Sequence, residues 1–271
     1  MSPIASGSRL ATASPHDGTV WCAPSEPLRL VEAASDAGME ATPLAHLYVS
    51  DAGAALRTLL GAKHSHFIGV YPSIKIGLSN PYEGVGEQAL AVESEVRHDV
   101  LDYQTQPFRL RMLLGGKRLE WICDHIRQLA CGTVEAIEVK VDPDDLDDEY
   151  IMKMQMARDL LGGLGWRFRI RYEAEIVGPA ERQVNKSLIA AHRSFGMSDD
   201  QRSSFEELRA RQAVTTFGAV RATLGAGHGG TAAVHRLMVE GRIAFDLDML
   251  LEEASPVRLL PPRRFNSRIR L

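Results

Sequence analysis

At 271 residues, with 45% hydrophobic and 24% charged side chains, the chain carries enough apolar material for one large or two ordinary domains. A formal net charge of -4 excludes a globally basic nucleic-acid binder, so any nucleic-acid surface must be local. Three cysteines (Cys22, Cys123, Cys131) without a CxxC pair, no apolar run of membrane-spanning length and no signal-like start argue against a disulfide framework, structural zinc and a membrane partner, and lead us to expect a cytoplasmic protein.

Residues 1 to about 25 are rich in Ser, Ala, Gly and Pro and read as a loose leader, part of a partly disordered extension over 1–66. Scattered apolar spacing from Leu28 to Leu60 predicts one or two short helices. After the turn signal Asn80-Pro81, Val85, Ala89, Val92 and Val96 recur at helical spacing, which puts Glu83 and Glu87 on one helix face. A solvated acidic face would serve as well. Phe108, Leu110 and Met112 alternate with Arg109, Arg111 and Leu113 as a strand, and Gly115-Gly116 marks a hairpin. Lys117 to Arg127 then returns as one strand, with Asp124 on the face of Ile122 and Ile126, and Cys131-Gly132 turns the chain into a strand from Val134 to Val141.

Six acids from Asp142 to Glu149 could form an extra metal-binding or DNA-repelling loop, but read better as an acidic first turn capping a helix from about Asp147 to Leu161. WRFRIRYEAEIV follows as a strand. The order helix, three strands, helix, strand predicts a mixed α/β core. Gly178-Pro179 reads as a boundary, with helices beyond it over Val184 to His192 and Phe205 to Leu224. GAGHGG (225–230) follows a helix rather than a strand, so it reads as a linker and not as a phosphate loop. Thr231 to Glu240, the turn at Gly241, a short strand and a final helix suggest a winged helix-turn-helix or a plain helical adaptor. The tail holds Arg263, Arg264, Arg268 and Arg270 and no acid, which suits phosphate tracking, docking on an acidic surface or plain solubility.

The chemistry concentrates between Trp121 and Lys140. Asp124 is followed, after thirteen residues, by Glu138 and Lys140, whose i, i+2 spacing places both on one strand face. Should Asp124 lie beside them, two carboxylates and an ammonium converge, which suits a hard divalent cation such as Mg2+, with Mn2+ as a substitute. The lysine would orient an attacking water and offset charge developing on a phosphodiester. Taken alone, D-x(13)-E-x-K is a loose pattern that ordinary strands satisfy.

Residues 67–178 resemble the catalytic domain of TnsA-type endonucleases, the restriction-endonuclease-like PD-(D/E)xK subunits of heteromeric transposases. The resemblance is carried by Tyr71-Pro72-Ser73-Ile74-Lys75, the helix with Glu83 and Glu87, VLDYQTQPFRL with Gln106-Pro107, Asp124, Glu138-Val139-Lys140 and RFRIRYEAEI. It implies an α/β, restriction-endonuclease-like mixed-sheet core at 67–178 and a mostly helical, winged-helix-like region at 179–271. Glu87, nineteen residues before Gln106, would be the helix-borne acid, preferred to Glu83, Glu93 and Glu95. Asp124 and Glu138 would hold the metal with the Val139 carbonyl, and Lys140 would be the catalytic lysine. Cys123 replaces a common proline, and His125 an apolar residue; strand alternation aims His125 away from the face of Asp124.

The implied function is Mg2+-dependent hydrolysis of the 5′ strand at transposon ends. The implied partners are double-stranded DNA, a DDE-type transposase subunit and an AAA+ ATPase regulator. The alternatives are a stand-alone restriction or phage-defence nuclease and a catalytically idle DNA-binding assembly subunit.

Overall fold

The structure, a computed structural model, describes residues 28–32, 45–50, 55, 67–114, 117–262 and 269. Strands β1 (Leu28–Glu32) and β2 (Ala45–Ser50) precede a hairpin of β3 (Ile68–Pro72) and β4 (Ser79–Glu83), and then helix α1 (Val85–Val96). Five strands follow: β5 (Val100–Thr105), β6 (Phe108–Leu114), β7 (Lys117–Ile122), β8 (His125–Leu129) and β9 (Val134–Lys140). A 3-10 turn at Pro143–Asp145 leads into α2 (Asp148–Gly163), β10 (Arg167–Tyr172) and α3 (Glu173–Val177). The C-terminal part contains α4 (Ala180–Ala191), α5 (Asp199–Arg211), β11 (Val214–Thr216), α6 (Phe217–Leu224), α7 (Gly227–Val239), β12 (Ile243–Ala244) and β13 (Pro256–Leu259). The protein is thus α/β, and among the described residues no helix is long and apolar enough to cross a membrane.

Two four-stranded sheets carry the first core. One has the order β1-β2-β6-β7, all antiparallel; the other has the order β10-β9-β8-β5. In the second sheet β10 runs parallel to β9, which requires a crossover, and α2 supplies it. Asp147 caps that helix by accepting the Tyr150 N–H at 2.7 Å, and Asp148 and Glu149 stand in its first turn, so the second half of the acidic stretch serves as a helix start while Asp142, Asp144 and Asp145 belong to the 3-10 turn. β9 is covered on both faces, and Glu135 through Glu138 are buried in succession. Phe108 and Phe168 pack edge-on against Trp121, at 5.6 and 5.4 Å between ring centroids.

A second core gathers Phe205, Val220, Val234 and Leu237 from α5, α6 and α7, together with Val257 and Leu259 from β13. Val96, at the end of α1, belongs to it too, while Ala91 and Leu90 pack in two smaller clusters, with Val100 and Tyr103 and with Ile137 and Ile176. α7 is buried along most of its length, against α6, α4 and α1.

Several expectations are corrected. Residues 28–32 and 45–50 are strands rather than helix, because Ala45, Leu47 and Val49 alternate into the first core beside β6; most of 51–60 lies outside the described residues, as do 1–27. Lys117 to Arg127 is two strands in two sheets, not one. Glu83 ends β4, so it does not share a helix face with Glu87. The closing strand stops at Tyr172, where the chain turns into α3.

The expected helix from Phe205 to Leu224 is broken by the β-branched run Val214–Thr216, which pairs with β13, and Thr216 then caps α6 by accepting the Ala219 N–H at 3.2 Å. GAGHGG is not a linker: α7 starts at Gly227, and a Cβ on Gly230 would strike the Gly225 carbonyl oxygen and lie 2.7 Å from that of Arg221. The expected final helix is replaced by β13. Of the tail, residues 263–268, 270 and 271, which include its four arginines, lie outside the described residues; Ile269 packs on the first core. Cys123 and Cys131 are free thiols, and Cys22 lies outside the described residues.

Candidate active site

The two large sheets exchange strands at one corner. β5 leaves its sheet through Gln106-Pro107 to become β6, and β7 returns through Cys123-Asp124 to become β8. The two crossings are tied by the Gln106 N–H donating to the Asp124 carbonyl at 2.9 Å and the Cys123 N–H donating to the Phe108 carbonyl at 3.1 Å. Gln106 takes φ of 48°, an uncommon left-handed conformation for a residue with a Cβ.

Asp124 therefore sits outside any strand, a correction with a clear geometric result. The pairing of β8 with β9 ends at His125↔Ile137, leaving the next stretch of the β9 edge uncovered by β8. There Asp124 Oδ2 accepts the Val139 N–H at 2.8 Å. In a strand, the N–H and C=O of one residue face the same neighbour, so the Val139 carbonyl faces this edge as well. Burial, followed by the carboxylates of Glu138 and Glu87, pushes the Asp124 carboxyl well above the ordinary carboxylate range, while the Val139 N–H works the other way.

Glu138, 4% exposed, is held at both oxygens. Trp121 Nε1–H donates to Oε2 at 2.6 Å; the Tyr150 hydroxyl donates to Oε1, and Lys140 Nζ lies 2.9 Å from that same oxygen. Glu138 and Lys140 thus meet on one strand face, as their spacing predicts. The Tyr150 ring also lies under two ammonium groups, with Lys140 Nζ 4.4 Å and Lys153 Nζ 4.7 Å from its centroid. Burial and the neighbouring Lys140 charge hold the Lys153 ammonium below its ordinary pKa, against the pull of Glu138.

Glu87 occupies the first turn of α1, where a carboxylate complements the helix dipole, and its Oε2 accepts the Glu83 N–H at 2.9 Å. Gly86 lets α1 approach β9 closely: a Cβ there would stand 2.8 Å from Val139 Cγ1. The Gly86 N–H donates to Glu173 Oε2 at 3.0 Å.

The other candidate acids and His125 have different tasks. Glu95 accepts from Ser73 Oγ at 2.5 Å, Tyr103 Oη at 2.9 Å and the N–H groups of Ile74 and Lys75 at 3.0 and 3.1 Å, so it anchors the Tyr71 to Lys75 turn. Glu93 lies 3.0 Å from Arg127 and 2.8 Å from Arg171. His125 is buried, stacked on Tyr103 at 5.5 Å, and its Nε2 is 3.0 Å from Ser94 Oγ. Burial and Arg127 hold its pKa down to about 3, so it is a neutral core residue.

Among the described residues, no group of three or more His, Cys, Asp or Glu side chains forms a ready metal cage. Mg2+ does not require one: one or two carboxylates with waters and substrate phosphates suffice. Asp124 and Glu138 with the Val139 carbonyl fit such a donor set, and a cation there would offset the burial and the neighbouring carboxylates that raise the Asp124 carboxyl.

Trp121, Tyr150 and Lys153 were not singled out by the sequence. The i, i+3 spacing of Tyr150 and Lys153 on the helix after Glu138-Val139-Lys140 was the available signal. A cleft of about 400 Å3 opens elsewhere, lined by Arg97, Arg171 and Arg182 with Glu93, Asp99 and Asp248. Each of these guanidiniums is paired with one of these acids, which makes the cleft a structural seam rather than a ligand site. Comparison with models of known protein families finds no match, and comparison with curated proteins finds none either.

Proposed function

We propose that the protein is a metal-dependent DNA endonuclease, similar to TnsA-type subunits of heteromeric transposases, that hydrolyses the 5′ strand at transposon ends. The observation that carries this reading is the meeting of Asp124, the Val139 edge, Glu138 and Lys140 at the corner where the two sheets exchange strands. The order α1, β5-β8-β9, α2, β10, with β6 and β7 inserted as a hairpin into a neighbouring sheet, supports a restriction-endonuclease-like core.

Asp124, Glu138 and the Val139 carbonyl would hold Mg2+ or Mn2+, with Glu87 as the acid from α1. A bound divalent ion supplies Lewis acidity and a water of lowered pKa. Lys140, fixed between Glu138 and the Tyr150 ring, orients the attacking water and offsets charge gathering on the phosphoryl oxygens. Trp121 and Tyr150 keep the Glu138 carboxylate in one orientation.

The order α5, β11, α6, α7, β12, β13, with its three-stranded sheet β11-β13-β12, supports a winged-helix reading of the C-terminal part. α7 is buried against its neighbours, and the β12–β13 connection carries Asp246, Asp248, Glu252 and Glu253. Both features favour protein contact over groove reading for this part, with a DDE-type transposase and an AAA+ ATPase as the partners.

The test is nicking of a labelled transposon-end duplex by the protein with its cognate transposase, in Mg2+ and in EDTA, for wild type and Asp124→Ala. Metal-dependent 5′-strand nicking that the variant lacks supports the reading. Undiminished nicking by the variant refutes the site. Assembly on DNA without nicking favours an idle subunit.

A further inference from the structure

Lys153 differs from the other cation at the site. Lys140 is matched by the Glu138 carboxylate at 2.9 Å, whereas Lys153, among the described residues, makes no ion pair. Instead its half-buried side chain brings the ammonium to 4.7 Å from the centroid of the Tyr150 ring, the ring that Lys140 also approaches at 4.4 Å. A lysine on a helix flank normally extends its ammonium into water. Glu138, Glu149 and Asp147 draw the Lys153 ammonium towards the site, yet it also stands beside the like charge of Lys140.

On the nuclease reading the anion that reaches this site from outside is a DNA phosphodiester, and Lys153 stands beside the lysine that would serve the reaction with no described carboxylate at ion-pair distance. We propose that Lys153 binds a backbone phosphate of the DNA strand at the metal site, so that of the two lysines at the Tyr150 ring one serves the attacking water and the other grips the strand. This rests on the nuclease reading for its substrate, but it makes a separate claim about where the strand is held.

The experiment uses the full chain, with Ca2+ replacing Mg2+ to suppress hydrolysis. The Kd for a transposon-end duplex is measured from about 50 to about 200 mM salt for wild type, Lys153→Gln and Lys153→Arg, and nicking is followed in parallel with Mg2+ and the cognate transposase. Each phosphate contact contributes about 0.9 to the slope of log K against log salt, so Lys153→Gln should lower the slope by about that amount. Its affinity should fall more at low salt than at high salt, and Lys153→Arg should restore the wild-type slope. A purely structural role for Lys153 would leave the slope unmoved.

An unchanged slope in Lys153→Gln, with metal-dependent nicking by wild type, overturns the phosphate site and leaves the nuclease standing. A lowered slope without any nicking by wild type overturns the nuclease reading and leaves the phosphate contact. Wild type that shows no salt-dependent duplex binding overturns both.

Discussion

Trp121 donates its indole N–H to the Glu138 carboxylate at 2.6 Å, although the two residues belong to different sheets. The bond crosses the first core and fixes the orientation of a candidate metal ligand from behind. Trp121→Phe keeps the aromatic packing against Phe108 and Phe168 while removing the donor. A hydrogen bond to a charged group contributes about 1.5–3 kcal/mol, and the variant is expected to lose that much in urea denaturation in EDTA. Unchanged stability would show that the bond contributes nothing.

Asp124→Asn is expected to stabilise the metal-free protein at pH 7, because burial, Glu138 and Glu87 raise the folded carboxyl and so oppose its charged form. For a carboxyl raised on folding, stability is present below the unfolded pKa and lost as pH rises through the folded value. The advantage of the variant should therefore vanish below about pH 4. Added Mg2+ should stabilise wild type and leave the variant unchanged. Thermal melts across pH, with and without Mg2+, check both expectations.

Glu93 shows the opposite sign. Burial opposes its charge, but Arg171, Arg127 and Arg97 overcome that and lower its pKa from 4.5 to about 2. Its stabilisation, about 3 kcal/mol by linkage, is present above the unfolded value and lost as pH falls towards the folded one. Glu93→Gln should lower stability by about that amount at neutral pH and flatten the decline of stability between about pH 4.5 and about pH 2. A variant that unfolds in acid with the same pH dependence as wild type would contradict this.

Gly86→Ala tests the seating of α1. Its Cβ would lie 2.8 Å from a β-branched side chain that has few ways to yield, so α1 must move away from β9. The expected cost is about 1–3 kcal/mol in stability. Nicking should fall about tenfold or more, because Glu87 shifts relative to Asp124 and small misplacements are expensive in catalysis. Full activity in this variant would remove Glu87 from the site.

What the sequence revealed followed periodicity. α1, β9 and α2 were legible because their apolar spacing and acidic start are local properties, and the meeting of Glu138 with Lys140 follows from strand alternation alone. The position of Asp124 was not legible in the same way. Leu119, Trp121 and Cys123 alternate smoothly into β8, and nothing local marks the transfer from one sheet to the other. That transfer depends on Gln106-Pro107, fifteen or more residues away, whose N–H secures the Asp124 carbonyl. Trp121 and Tyr150 were missed for the same reason: both reach Glu138 through tertiary packing.

α1 has the mechanics of a beam with two supports. Its twelve residues span about 18 Å at 1.5 Å per residue, with Glu87 near one end and Val96 seated in the second core at the other. A chain cut after residue 178 would leave Val96 bare, with Glu93, Ser94 and Glu95 still tying that end of the helix to Arg127, His125 and Tyr103. The boundary suggested by Gly178-Pro179 is therefore a seam in sequence but not in load, because the C-terminal core covers the far end of the helix whose near end carries Glu87.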